Sequence, residues 1–140
     1  MNSDKEMKEI LLSAKTIASV GLSSSDEKES FWVVNYLQEQ GYKIIPVNPK
    51  ADEILGEKVY QSLSDIPDKV DIVQVFRKPE DVPPVVEEAI KIGAKVVWMQ
   101  AGIVNEEAAQ KARDAGLQVV MNACMRIIHQ RLMGSKLIGL

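Results

Sequence analysis

Apolar positions along the chain follow two rhythms that take turns. Met7, Ile10, Leu11 and Ala14 fall at helical spacing, which predicts a short helix over 4–14. Thr16-Ile17-Ala18-Ser19-Val20-Gly21 then reads as a brief strand ending at glycine. Residues 22–30 are small and polar. From Phe31 the helical rhythm returns, with Val33, Val34, Tyr36 and Leu37 on one face and Gly41 as the glycine that ends the helix. Tyr42-Lys43-Ile44-Ile45-Pro46-Val47 is a second strand, stopped by Asn48-Pro49. Residues 50–69 are mixed: a turn at Gly56, a short strand at Lys58-Val59-Tyr60 and a helical turn at Leu63–Ile66.

The rest of the chain is more regular. Asp71-Ile72-Val73-Gln74-Val75-Phe76 is a third strand. Pro79, Glu80 and Asp81 suit a helix start, Val82, Val85, Val86, Ala89 and Ile90 form its apolar face, and Gly93 closes it. Lys95 to Gln100 is a fourth strand. Asn105 before Glu106-Glu107 reads as an N-cap with acids in the first turn, and that helix runs to Gly116. Leu117 to Met121 is a fifth strand, and residues 124–133 form a last helix.

Short β-branched strands alternating with helices predict a parallel sheet covered on both faces. The expected fold is α/β, a Rossmann-like three-layer arrangement with a five-stranded parallel sheet. Numbering the strands along the chain, the expected order is 3-2-1-4-5, with the topological switch between strands one and four. The expected organisation is a helical extension over 1–14, one domain over 15–133 and a loose tail over 134–140. No internal repeat or linker interrupts it.

Composition narrows the function classes. The chain has 140 residues, 46% hydrophobic and 26% charged, as in an ordinary single domain. One cysteine, Cys124, excludes an internal disulfide, and with one histidine, His129, the usual four-ligand zinc site is out of reach. A net charge of −3 with interspersed signs does not describe a nucleic-acid surface. The charged N-terminus is unlike a signal peptide, and no apolar run approaches a membrane span, so the expected compartment is the cytoplasm.

Ligands of such sheets sit beyond the carboxyl ends of the strands, near the switch point. The segments to read are therefore Gly21–Ser30, Asn48-Pro49-Lys50, Phe76-Arg77-Lys78-Pro79, Gln100-Ala101-Gly102 and Asn122-Ala123-Cys124. The first joins a strand to a helix. Its backbone N–H groups, the helix N-terminus, its serines and Lys28 make an anion site suited to phosphate. The alternative is that the serines only cap the helix. The loop has one glycine and lacks G-x-G-x-x-G, and Asn48 stands where an acid would hold the ribose of a dinucleotide. No Gly-Lys-Ser/Thr follows it either, so nicotinamide and P-loop chemistry are disfavoured. Lys28, Lys50 and Arg77 are bases that could converge on one polyanion, whereas Lys78 is read as a solvated lysine.

Catalytic constellations are poor. There is no G-x-S-x-G, and His129 lies in the last helix, far in sequence from any nucleophile elbow, so it is read as a surface or packing residue. Cys124 precedes a helix, where a thiol pKa can fall, yet a buried inert cysteine is the commoner case. Trp32 and Trp98 are read as core residues rather than binding platforms.

Several segments taken together resemble a known family. They are Ile17–Gly21 with Ser23 and Ser30; Gly41-Tyr42 with Pro46-Val47-Asn48-Pro49; Ile54 to Tyr60; Asp71-Ile72-Val73 with Phe76-Arg77; and Trp98 to Gly102. The chain resembles the small stand-alone CoA-binding proteins over roughly residues 15–132, and these are similar to the CoA-binding domain of the succinyl-CoA synthetase α subunit. The resemblance implies coenzyme A as cofactor, with Gly21, Leu22, Ser23, Ser24, Lys28 and Ser30 around its phosphates. It places Val47, Asn48, Pro49 and Lys50 beside the adenosine, and Phe76, Arg77 and Pro79 along the next wall. Gln100 and Gly102 would lie by the pantetheine path. The chain departs from the family at Lys28-Glu29-Ser30, where Arg-Pro-Ser is frequent. Lysine keeps the charge but loses the two-pronged donor geometry of arginine, and Glu29 sets an acid beside the phosphate site.

In ADP-forming acyl-CoA synthetases such a domain is one part among several, and the phosphorylated histidine and nucleotide-grasp domains lie elsewhere. The resemblance therefore implies a nucleotide-binding protein that holds CoA or an acyl-CoA without catalysis of its own. The alternatives are a small enzyme or redox protein acting on a CoA thiol or thioester through Cys124, and a regulatory subunit of a synthetase-like assembly. No nucleic-acid or membrane partner is expected. A protein partner is not identified, and self-association is left open.

Overall fold

The structure, a computed structural model, describes residues 2–134, so the expected loose tail beyond Gly134 lies outside the described residues. The chain begins with α1 (Asp4–Ser13), β1 (Thr16–Val20), α2 (Glu29–Glu39) and β2 (Lys43–Val47). A small antiparallel hairpin follows, β3 (Glu53–Ile54) and β4 (Glu57–Lys58), then a 3₁₀ turn at Leu63–Asp65. Next come β5 (Ile72–Val75), a 3₁₀ turn at Pro79–Asp81, α3 (Val82–Lys91) and β6 (Val96–Met99). The remaining elements are α4 (Glu106–Asp114), β7 (Gln118–Val120) and α5 (Met125–Met133).

The expected α/β fold with a five-stranded parallel sheet is what the chain adopts, but the strand order differs. The observed order is β2-β1-β5-β6-β7, which in chain order reads 2-1-3-4-5 and not 3-2-1-4-5. The third strand pairs with the first, Ile17 beside Ile72 and Val20 beside Val75. The switch therefore lies between strands one and three. Pro46 supplies a physical reason. Its carbonyl accepts from the Tyr60 N–H at 3.0 Å on the outer side of β2. A residue's N and O point to the same side of a strand, so the N–H that proline lacks is missing from that outer side. A full strand there would lose a ladder bond, and proline in a sheet belongs on an edge. Among the described residues a single bridge, Val47 to Tyr60, pairs with this edge.

Alternate residues of each strand feed two cores. Ala18, Val20, Val73, Val75, Val97 and Met99 face α3 and α4, whose Val82, Val86, Ala89, Ala109 and Ala112 complete one layer. Ile17, Ile44, Ile72, Val96 and Trp98 face α1, α2 and α5, with Leu11, Val34, Leu37 and Met125. The helix expected as an extension packs into this second core through Met7, Ile10 and Leu11. Because α2 follows β1 on one face and α3 follows β5 on the other, the loops after these neighbouring strands diverge. That divergence opens the carboxyl edge. Among the described residues no helix is long and apolar enough to cross a membrane.

Candidate functional site

The loop after β1 is drawn tightly into the sheet before it turns away. The Gly21 N–H donates to the Val47 carbonyl at 3.0 Å, and the Phe76 N–H donates to the Val20 carbonyl at 2.9 Å. Gly21 has φ +87°, and a Cβ there would stand 2.9 Å from the Phe76 carbonyl oxygen. Only glycine fits this crossing.

Beyond it the serines organise the loop rather than cap the helix. The Ser30 hydroxyl accepts from the Ser23 N–H at 3.2 Å, Ser23 Oγ from the Ser25 N–H at 3.1 Å, and Ser25 Oγ from the Glu27 N–H at 3.2 Å. A hydroxyl that accepts still has its own proton to donate. The N-cap of α2 is Lys28, and no side chain caps the helix, so the partial positive charge of its first turn is open to a ligand.

These features bound a cleft of about 410 Å³ lined by Gly21, Ser23, Lys28, Glu29, Ser30, Val33, Phe76, Gln100, Ala101 and Ile103. Six of the expected residues meet here: Gly21, Ser23, Lys28, Ser30, Phe76 and Gln100. Glu29, the acid at the family's frequent proline position, lines it too. A second cleft of about 270 Å³ lies on the α3 side, where Val47 and Arg77 stand with Gln61, Ser62, Asp81 and Glu88. Lys28 and Arg77 thus belong to two adjoining clefts, separated by the Gly21–Phe76 crossing. Lys50 is exposed and lines neither.

The other expected residues support the edge. Leu22 is fully buried, and its carbonyl accepts from Asn48 Nδ2 at 3.0 Å, tying the first loop to the second. Asn48 Oδ1 accepts from the Lys50 N–H at 2.8 Å, which makes the turn that carries the exposed Pro49. Ser24 is exposed and outside both clefts. The Pro79 carbonyl accepts from Asn105 Nδ2 at 2.9 Å. The Gly102 N–H donates to Asn122 Oδ1 at 2.7 Å, with φ +83°.

Two residues near this edge escaped the sequence reading. Gln74 interrupts an otherwise apolar buried strand and is itself fully buried, bonded to Gln100. Such a polar residue among valines is a signal legible in the sequence. Arg126, in the first turn of α5, has a buried Nε with no hydrogen-bond partner among the described residues.

The residues weighed for catalysis are mostly packed. His129 is buried, its Nδ1 2.7 Å from the Tyr36 hydroxyl and its ring edge-on to Tyr36 and Tyr42. Cys124 is buried at the N-cap of α5. Trp98 is buried in the core, as expected, and its indole N–H donates to the Ala123 carbonyl. Trp32 is not in the core. It is 48% exposed, because its indole N–H reaches out to the Asp26 carbonyl at 2.6 Å. Among the described residues no cluster of three or more His, Cys, Asp or Glu side chains could hold a metal. A larger hollow of about 640 Å³ lies at the opposite edge, where β1 and β2 begin, and holds none of the expected residues.

Fold and edge together define a doubly wound α/β domain with an anion-suited loop at its switch point. Comparison with known proteins makes the class specific. A family profile described as a CoA binding domain matches residues 15–130, and the chain belongs to that family. It is 46% identical over 127 residues to YneT, an uncharacterized protein of Bacillus subtilis, covering 91% of this chain and 94% of that one. It is 31% identical over 126 residues to an ADP-forming acetate–CoA ligase of Methanocaldococcus jannaschii, covering 84% of this chain but 18% of the ligase. A solved structure of a hypothetical protein from Pyrococcus horikoshii superposes with a TM-score of 0.92 at 49% identity, over 95% of this chain and 94% of that one.

Proposed function

We propose that this protein binds coenzyme A or an acyl-CoA at the carboxyl edge of its sheet, without catalysis of its own. One observation carries the reading: the uncapped N-terminus of α2, with Ser23, Lys28 and Ser30, walls a cleft in a chain whose family is that of CoA-binding domains. Hydroxyl donors, a helix N-terminus and a lysine are what a diphosphate requires. The adjoining cleft, lined by Arg77 beside Asp81 and Glu88, offers a guanidinium as a second contact for the same ligand. CoA has the length and the separated phosphates to use both. The burial of Cys124 weighs against a thiol-exchange enzyme. A binder of this kind would work in the cytoplasm, where CoA thioesters are made and used.

The test is a thermal-shift series with CoA, dephospho-CoA, NAD and ATP. A ligand that binds only the folded chain stabilises it by RT ln(1 + [L]/Kd), about 2.7 kcal/mol at a hundredfold excess over Kd. CoA is expected to raise the melting temperature most. An equal response to all four, or none to CoA, would remove the reading.

A further inference from the structure

Beneath the cleft runs a chain of three buried polar side chains. Ser19 on β1 and Gln74 on β5 are both fully buried, and Gln100 after β6 is 6% exposed. They lie on the same sheet face as Ile17, Ile72 and Trp98, among apolar neighbours. Ser19 Oγ donates to Gln74 Oε1 at 2.8 Å, and Gln74 Nε2 donates to Gln100 Oε1 at 3.0 Å. The Met125 backbone N–H, at the start of α5, donates to the same Gln100 oxygen at 3.0 Å.

The direction of this chain follows from one atom. A backbone N–H can only donate, so the Gln100 atom facing Met125 is the oxygen. That oxygen then needs a donor from Gln74, which turns the Gln74 oxygen toward Ser19. With its oxygen held by two donors, Gln100 has its amide –NH₂ left over. No group among the described residues accepts from it, and Gln100 lines the 410 Å³ cleft.

We propose that Gln74, backed by Ser19, is a positioning residue that locks the Gln100 amide so that its –NH₂ is a fixed hydrogen-bond donor in the cleft. This rests on the CoA reading of that cleft, and deepens it. A fixed donor beside the anion loop reads an oxygen acceptor, and the oxygen acceptors of CoA outside its nucleotide are the carbonyls and hydroxyl of the pantetheine arm and the carbonyl of an acyl thioester. Gln74 touches no ligand itself. A preorganised donor avoids the ordering cost a free glutamine side chain would bear on binding.

The test compares CoA with adenosine 3′,5′-bisphosphate, which carries the base, the 3′-phosphate and one of the two 5′-phosphates but no carbonyl arm. Calorimetric titration of Gln74→Met is expected to show CoA affinity reduced about five- to tenfold, the worth of one hydrogen bond. Bisphosphate affinity is expected to be unchanged. Ser19→Ala, a gentler change, tests the same relay where Gln74→Met does not fold, with about a two- to threefold loss for CoA alone. In the wild type the Gln100 side-chain amide signals should shift on adding CoA but not bisphosphate. Equal losses for both ligands, or no loss for CoA in Ser19→Ala and in folded Gln74→Met, would overturn the positioning role. A wild-type protein that binds neither ligand would instead overturn the CoA reading itself.

Discussion

At the scale of a single residue, Gly21 makes the crossing that separates the two clefts. Its positive φ and the 2.9 Å approach of a would-be Cβ to the Phe76 carbonyl leave no room for a side chain. Gly21→Ala is expected to cost about 1–3 kcal/mol in urea unfolding, because strain at such a position is of that size. Arg77→Ala should leave the fold intact and weaken CoA binding, read by the same titration as above. Tyr42 makes a prediction for pH. Burial, with a smaller contribution from Tyr36, pushes its phenol up to about 12, and its hydroxyl donates to the Leu11 carbonyl. The unfolded chain releases this proton near pH 10 while the native state keeps it. The stabilisation is therefore complete below pH 10 and is lost as pH rises toward 12. Thermal unfolding across that range should show a decline that is shallower in Tyr42→Phe.

At the scale of elements, two side chains hold neighbouring segments in register. Asp71 precedes β5 and accepts from the N–H groups of Lys15 and Thr16, at 2.8 and 3.0 Å, where β1 begins. Burial pushes its carboxyl up, but those two N–H groups and Lys95 outweigh it and leave the pKa below its ordinary value. A lowered carboxyl pKa gives stability that is present above the ordinary value near 3.8 and is lost as pH falls below it. Acid unfolding of Asp71→Asn should accordingly show a flatter limb than the wild type. Asn105 caps α4, its Oδ1 accepting from the Ala108 N–H at 2.9 Å while Nδ2 bonds the Pro79 carbonyl. Asn105→Ala is expected to cost about 1 kcal/mol, measured by denaturant midpoint at unchanged slope.

For the molecule as a whole, two cores share one sheet. Every central strand contributes alternate residues to both, so neither layer can come apart alone. Unfolding followed by far-ultraviolet circular dichroism and by tryptophan fluorescence should coincide in one transition. The second probe reports largely on the buried Trp98. Saturating CoA should move both curves together.

Local pattern was enough to read the elements: Ile17, Ile44, Ile72 and Val96 in β rhythm, Asn105 as a cap and Gly41 and Gly93 as stops needed only their neighbours in the chain. The same pattern, with Val47-Asn48-Pro49 and Phe76-Arg77, led to the family. The strand order was misread as 3-2-1-4-5: Pro46 lacks an N–H, as an edge strand can, but which side of β2 it faces is set only by the fold. The candidate site was read as a set of loops after strands, because doubly wound sheets place ligands there. Which residues share a cleft was not legible. Lys28 and Arg77 part because α2 and α3 leave on opposite faces, and Leu22 turns inward although its loop is polar. The path from Ser19 through Gln74 to Gln100 spans three strands, so its hydrogen bonds exist only once the sheet has brought them side by side. The chain by itself determined that a serine-rich loop suited to an anion follows Gly21. Only the tertiary structure decided that the serines spend their lone pairs on the loop's own N–H groups, so that Ser23 and Ser30, with hydroxyl protons to spare, line a cleft together with Lys28 and the uncapped end of α2.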